Sequence, residues 1–148
     1  MEIYTIGFTK RSAAQFFGTI QKAQINLLLD VRLNNVSQLA GFAKKDDLQY
    51  FLREICGAEY RHELLLAPTA DMLSAFKKLK SSSWEEYERA FIGLMTSRKI
   101  DENISQDLFR KKTILLCSEY SPKMCHRRLV AEYLKSHWSD ESIDIIHL

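Results

Sequence analysis

The sequence predicts an α/β fold: a single domain on a Rossmann-like, mainly parallel sheet of about five strands, with helices on both faces. Three observations carry this expectation. Short, almost uninterrupted apolar runs such as Thr113–Cys117 suit strands that are covered on both sides, as in a parallel sheet. Amphipathic stretches with helical spacing alternate with these runs along the chain. The 148 residues, with 46% hydrophobic and 27% charged side chains, supply one core and mark an ordered globular chain.

The elements follow in order. Glu2–Gly7 (EIYTIG) is rich in β-branched and aromatic residues and reads as the first strand. Ser12 with Gln15 three residues on makes a capping box for a helix to about Ala23. Leu27–Val31 (LLLDV) is the second strand. Asp46 or Asp47 is placed to cap a helix that turns Leu48, Phe51, Leu52 and Ile55 inward. Tyr60–Leu66 is a third, less regular strand. Thr69 opens a helix ending near Lys80, with Met72, Leu73 and Phe76 inward. Ser83 and Glu86 form a second capping box, ahead of Trp84, Tyr87, Phe91, Leu94 and Met95 on one helical face. Ile104 and Leu108 mark a short helix before the fourth strand, Thr113–Cys117. Ser121 as N-cap and Pro122 at the first helical position start a last helix through Leu129, Val130, Tyr133 and Leu134. Ser142–Leu148 (SIDIIHL) is the fifth strand. No shift in composition divides residues 1–148, and the helical stretch Ala67–Lys112 is expected to form a lobe over the sheet.

Composition and motifs exclude several classes. Lys and Arg total 21 against 19 Asp and Glu, a formal net charge of +2, which is no strong footprint for nucleic acid or a membrane surface. Glu2 near the start, and apolar runs far short of the roughly 20 residues that span a bilayer, point to a cytoplasmic chain without a membrane partner. Three cysteines, Cys56, Cys117 and Cys125, are an odd set expected to stay free thiols. There is no G-x-G-x-x-G, Walker loop or G-x-S-x-G elbow, so the standard dinucleotide, triphosphatase and hydrolase readings fail, and no cofactor is assigned.

Ligands of open α/β sheets bind beyond the carboxyl ends of the strands. Here those ends carry Thr9 after the first strand, Asp30 and Arg32 after the second, and Cys117 and Glu119 after the fourth. Asp30 and Arg32, two apart, share a side; they read either as an anion-fixing pair or as a structural salt bridge. Cys125 near a helix start has its thiolate favoured by the dipole, which suits a nucleophile with Glu119 or His126 as base. Cys117 also reads as a small core residue closing a buried strand. A metal set of Cys117, Glu119, Cys125 and His126 is disfavoured, because neighbours on a helix point about 100° apart. Lys123, Arg127 and Arg128 crowd a helix N-terminus that is already positive, so they need an anion. With Arg127 and Arg128 expected off the apolar face, that anion is a bound phosphate, or else a carboxylate such as Asp30 or Glu119. Gly41–Lys45 is a lid or a simple helix approach, and Tyr60 and His62 share a parity that can face the pocket.

These residues resemble a known family. TIGFT near the start, LLDVR, the Ser37…Phe42 stretch and above all CSEYSPKMCHRRL are similar to the DUF488 family over nearly the whole chain. The Cys-x-Glu…Pro-x-x-Cys-His-Arg string is its most specific part. Where that family usually carries His after the glycine this chain has Phe8, and Asn34-Asn35-Val36 replaces the usual Pro before Ser37. The resemblance implies a compact α/β domain with a polar pocket and supplies no reaction. Two functions are therefore expected. One is an enzyme acting on an anionic small molecule, phosphate- or nucleotide-containing, with Asp30, Cys117, Glu119, Cys125 and His126 catalytic and Thr9, Arg32, Arg127 and Arg128 binding substrate. The other is a non-catalytic module that recognises a nucleic acid or nucleotide in the same pocket. The oligomeric state is left open.

Overall fold

Among the described residues five strands, β1 (Glu2–Gly7), β2 (Leu27–Asp30), β3 (Glu59–His62), β4 (Thr113–Cys117) and β5 (Asp144–His147), pair in the order β3-β2-β4-β1-β5, each pairing parallel. The computed structural model describes residues 1–78 and 83–148. The two-residue period of a strand sorts the central side chains to two faces. Ile3, Leu27, Leu29, Leu115 and Cys117 point to one core; Tyr4, Ile6, Leu28, Ile114 and Leu116 point to the other.

Helices α1 (Ala13–Lys22) and α2 (Lys45–Phe51) cover the second of these faces with Phe16, Phe17, Ile20 and Leu48. The first face is covered by α3 (Ala70–Lys78), α4 (Ser83–Ser97), α5 (Ile100–Asn103) and α6 (His126–His137), through Phe76, Tyr87, Phe91, Met95, Ile100, Leu129, Val130 and Leu134. The chain runs from β1 to β2 to β3 over one face, then from β3 to β4 to β5 over the other. The segments leaving neighbouring β2 and β4 therefore part to opposite faces, which opens a crevice at their carboxyl ends. Among the described residues no helix is long and apolar enough to cross a membrane.

The Ser12–Gln15 capping box forms in both directions, Gln15 N–H to Ser12 Oγ at 3.1 Å and Ser12 N–H to Gln15 Oε1 at 2.9 Å. Thr69 Oγ1 caps α3 by accepting from Met72 N–H. The expected helix end near Lys80 lies outside the described residues, as does the side chain of the expected Ser83 cap.

Several expectations change. Lys44, in extended backbone, is the N-cap of α2; Asp46 and Asp47 lie inside its first turn, where their charge suits the dipole. Beyond Phe51 the chain widens into a π turn, Leu52–Cys56, stopped by Gly57 at φ 63°. The third strand ends at His62, since Glu63 accepts Leu65 N–H and bends Leu64–Leu66 into a 3₁₀ turn. The helix expected around Ile104 and Leu108 is α5 plus a 3₁₀ turn, Gln106–Phe109, split where Ile104 takes extended backbone. The last helix starts at His126, with Cys125 as an extended N-cap, and Ser121 and Pro122 belong to the preceding loop. Within the Gly41–Lys45 stretch, Phe42 packs edge-on against Phe8 and Phe17 and tilted against Phe16.

Candidate active site

A cavity of about 370 Å³ lies in the crevice between the ends of β2 and β4. Arg32, Leu33 and Asn34 form one side, Cys117, Ser118 and Glu119 another, and Met124, Cys125 and His126 the floor before α6. Leu73, Phe76, Trp84 and Tyr87 from the helical lobe close it with an aromatic wall. Of the residues expected at a site, Arg32, Cys117, Glu119, Cys125 and His126 converge on this cavity. Asp30, Thr9, Arg127 and Arg128 stand behind it or beside it.

Asp30 is fully buried and saturated with donors. Its Oδ1 accepts Arg32 Nε–H at 2.8 Å and Arg32 N–H at 3.2 Å, and its Oδ2 accepts Arg32 Nη2–H and Tyr60 O–H, each at 2.7 Å. Asn35 Nδ2 adds a 3.4 Å contact and also donates to Tyr60 Oη. Tyr60 therefore does not face the cavity. Burial and the Asp30 charge push its pKa up, which keeps the phenol a donor. His62 likewise turns away, its Nε2 2.6 Å from the Arg32 carbonyl. Arg32 Nη2 also donates to the Ala43 carbonyl, and the guanidinium lies 5.3 Å from the Phe8 ring centre. The expected ion pair is thus a braced structural unit. It presents the outer edge of Arg32 to the cavity and leaves Asp30 no free lone pair for proton transfer.

Across the crevice, β4 delivers Cys117 and the first turn of α6 delivers His126. Cys117 Sγ lies 3.5 Å from His126 Nδ1 and 3.7 Å from Nε2. Nε2 is 2.7 Å from the Val31 carbonyl oxygen. A carbonyl only accepts, so Nε2 carries the proton and Nδ1 is the unprotonated nitrogen; the sulfur, nearly equidistant from the two, lies beside the ring and not along the Nδ1 lone pair. Burial holds the His126 pKa below its ordinary value, so the ring is neutral and able to take a proton. The Cys125 hydrogen bond lowers the Cys117 pKa; burial opposes it, but the Ser118 N–H, the Arg127 charge and the Glu119 N–H leave the net shift downward. Cys125, which holds the shared proton in a buried position, shifts upward.

Arg127 explains how the loop keeps this shape. Its side chain is 0% exposed, and it donates to the carbonyls of Glu119 and Tyr120, to Thr5 Oγ1 and to Cys125 Sγ at 3.5 Å. Thr9 holds the Ser118 carbonyl through both its N–H and its hydroxyl. A Cβ on Gly7 would overlap the Glu119 carbonyl and sit 3.0 Å from Arg127 Nη1, so only glycine fits there. The loop carbonyls are thus tied outward, and the Ser118 and Glu119 N–H groups help to lower the Cys117 pKa. The expectation that Arg127 lies off the apolar face is corrected. It shares a stripe with Val130, Ala131 and Leu134, at i+3, i+4 and i+7, and that spacing was the signal for it. In place of the carboxylate of the competing expectation, Arg127 takes the Glu119 main-chain carbonyl. Arg128 spends its donors on the Lys123 carbonyl and on Glu132, 2.9 Å away, with Glu88 at 3.9 Å. The charge of Arg128 is thus answered from within the chain.

Cys117, Cys125 and His126 place their ligand atoms within 4.8 Å of one another, a potential N/S metal set. The divergence expected of adjacent Cys125 and His126 does not occur, because Cys125 is in extended backbone at φ −140° and ψ 137° and not in the helix. Charge decides what the set is suited to. Among the described residues, the partners of the buried Arg127 include no carboxylate. A buried unpaired charge is expensive, and one thiolate neutralises it. A divalent ion between two thiolates would leave the guanidinium uncompensated. The guanidinium's own sulfur contact is Cys125 at 3.5 Å, and its charge also lowers the Cys117 pKa, so one negative charge shared by the cysteine pair fits the balance. The aromatic wall is the part of the site that sequence reasoning missed: Trp84 and Tyr87 follow helical spacing and read as core, and only the placement of α4 over α6 brings them to the cavity mouth.

A family model described as Domain of unknown function DUF488 matches residues 12–134 of the chain. Comparison with the curated proteins and with the solved structures gives no match.

Proposed function

The chain belongs to the DUF488 family, and we propose that it is a thiol-dependent enzyme acting on a small anionic substrate, with Cys117 as nucleophile. The observation that carries this reading is the Cys117 Sγ to His126 Nδ1 approach of 3.5 Å, with the other ring nitrogen anchored on the Val31 carbonyl. A nucleophile, a base in reach and a group that orients the base are the parts covalent catalysis needs. In this reading Nδ1 takes the thiol proton and the sulfur attacks an electrophilic centre. The bond to sulfur forms as the bond to the leaving group breaks, and the proton held by His126 goes to the leaving group. Water admitted to the cavity then releases the product. Arg32, aided by the field of Arg127 and the inward N–H groups, selects for negative charge. The flat Trp84–Tyr87 stack, with ring centres 5.4 Å apart, suits a planar moiety such as a nucleobase. Asp30, Thr9, Arg127 and Arg128 act as positioning residues.

The test is the pH dependence of alkylation, site by site, with neutral iodoacetamide and anionic iodoacetate. Cys117 should react faster at pH 7 than Cys56, since its thiol is shifted down and that of Cys56 up, and the thiolate is the reacting form. It should also favour iodoacetate relative to a free thiol, and His126→Gln should slow it. A Cys117 that stays inert below pH 9 would overturn the enzyme. If inert thiols came with saturable binding of inorganic phosphate or a nucleotide, the pocket would be a recognition module.

A further inference from the structure

We infer that Cys117 and Cys125 form a reversible redox pair that reduces a peroxide, Cys117 attacking the oxidant and Cys125 resolving the product as a disulfide. The inference rests on the reading of Cys117 as the reactive thiol and adds a role for Cys125, which that reading leaves idle. The two sulfurs lie within 4.8 Å of each other, 5% and 2% exposed, and both line the one cavity, so an oxidant small enough to enter meets both. Their mountings differ. Cys117 is held in β4 between β1 and β2, whereas Cys125 stands on the non-helical N-cap after a long loop, and its side chain makes no capping bond. Cys125, at the end of that loop and outside regular secondary structure, is the sulfur that must move to reach the roughly 2.05 Å of a disulfide.

The steps balance. The Cys117 thiolate attacks one peroxide oxygen: the S–O bond forms and the O–O bond breaks. With hydrogen peroxide the leaving hydroxide collects the original thiol proton from His126 and departs as water. Cys117 has then lost two electrons and is a sulfenic acid. The Cys125 sulfur attacks it, the S–S bond forms, the S–O bond breaks, and a second water leaves with the Cys125 proton. A dithiol reductant resets the pair by exchange and is itself oxidised to a disulfide.

The experiment treats the full chain with one equivalent of hydrogen peroxide at pH 7, alkylates the remaining thiols and maps the peptides. The wild type should lose two thiols, yield a Cys117–Cys125 cross-link, keep Cys56 alkylatable and recover with dithiothreitol. Cys125→Ser, which keeps size and is itself a good N-cap, should lose one thiol and give a dimedone adduct at Cys117. Overoxidised Cys117 or a dimedone adduct in the wild type, with Cys125 still alkylatable, would overturn the pair while leaving a nucleophilic Cys117 in place. Failure of Cys117 to react with either peroxide or iodoacetamide would overturn the pair and the enzyme together.

Discussion

At Arg127 a single side chain links both halves of the site. It ties the Glu119 and Tyr120 carbonyls and touches Thr5 and Cys125. Arg127→Ala should therefore act on the fold first. Loss of several charged hydrogen bonds in a buried position costs roughly 3–5 kcal/mol, on the order of 10 °C in Tm, readable by thermal denaturation. A melting temperature within a degree or two of wild type would refute the structural role. Gly7→Ala should destabilise by about 1–3 kcal/mol, because the new methyl and the Glu119 carbonyl cannot share one space; equal urea midpoints would contradict this. His126 and His147 are both held below the ordinary histidine pKa, burial being the main cause, with the Arg127 charge adding to it. The unfolded chain thus binds their protons first as the solution is acidified. Stability is full above about pH 6.5 and falls as the pH drops from there towards the lower folded values. His126→Gln, which keeps a donor for the Val31 carbonyl and does not titrate, should show a shallower acid limb in chemical denaturation. A slope equal to wild type would argue against the buried neutral ring.

Among the elements, α1 and α6 start in opposite ways. The α1 start is local chemistry, a reciprocal Ser12–Gln15 box. Ser12→Ala should cost about 1 kcal/mol by denaturant midpoint, and no change would mean the cap is idle. The α6 start is set from a distance. Cys125 offers no side-chain cap, and the turn is held by Arg127 reaching back to the loop and by Arg128 on the Lys123 carbonyl. This is why the first boundary was legible in the sequence and the second was not. A capping box is visible within four residues, whereas Ser121 and Pro122 have the right local chemistry and lose to contacts with β1 and β4. The displacement matters chemically. A helix from Pro122 would send Cys125 and His126 in different directions, and the extended N-cap brings them together. Asp46 and Asp47 were misplaced by a similar margin, with Lys44 taking the cap position because Asn35 accepts Lys45 N–H.

For the molecule as a whole, the crevice between β2 and β4 follows from strand order, and the lobe between β3 and β4 finishes it. Phe91 joins lobe to site, with its ring centre 5.4 Å from that of His126 and 6.1 Å from that of Tyr87. Phe91→Ala should cost about 3–5 kcal/mol as a fully buried ring deletion. It should also slow Cys117 alkylation, since the His126 ring loses its packing. Loss of stability with unchanged alkylation would separate the lobe from the chemistry.

The sequence by itself determined the α/β class, the strands of Glu2–Gly7 and Thr113–Cys117, the α1 cap and the residues that could meet at one sheet edge. These rest on short-range patterns: apolar runs, a period of 3.6 and hydrogen bonds a few residues apart. Strand order was beyond it, because β1 pairs with β4 and β5 across long stretches of chain and any of several orders satisfies the same pattern. So was the division of labour among polar residues. Asp30, Arg127 and Arg128 carry charges that look free in a linear text, and burial decides their partners. The tertiary structure turned them into supports, left Arg32, Glu119 and His126 at the cavity, and set Cys117 beside His126 and Cys125 against Arg127. A charge takes whichever partner the packed fold brings within reach when water is removed, and that partner can lie more than a hundred residues away, as Thr5 does from Arg127.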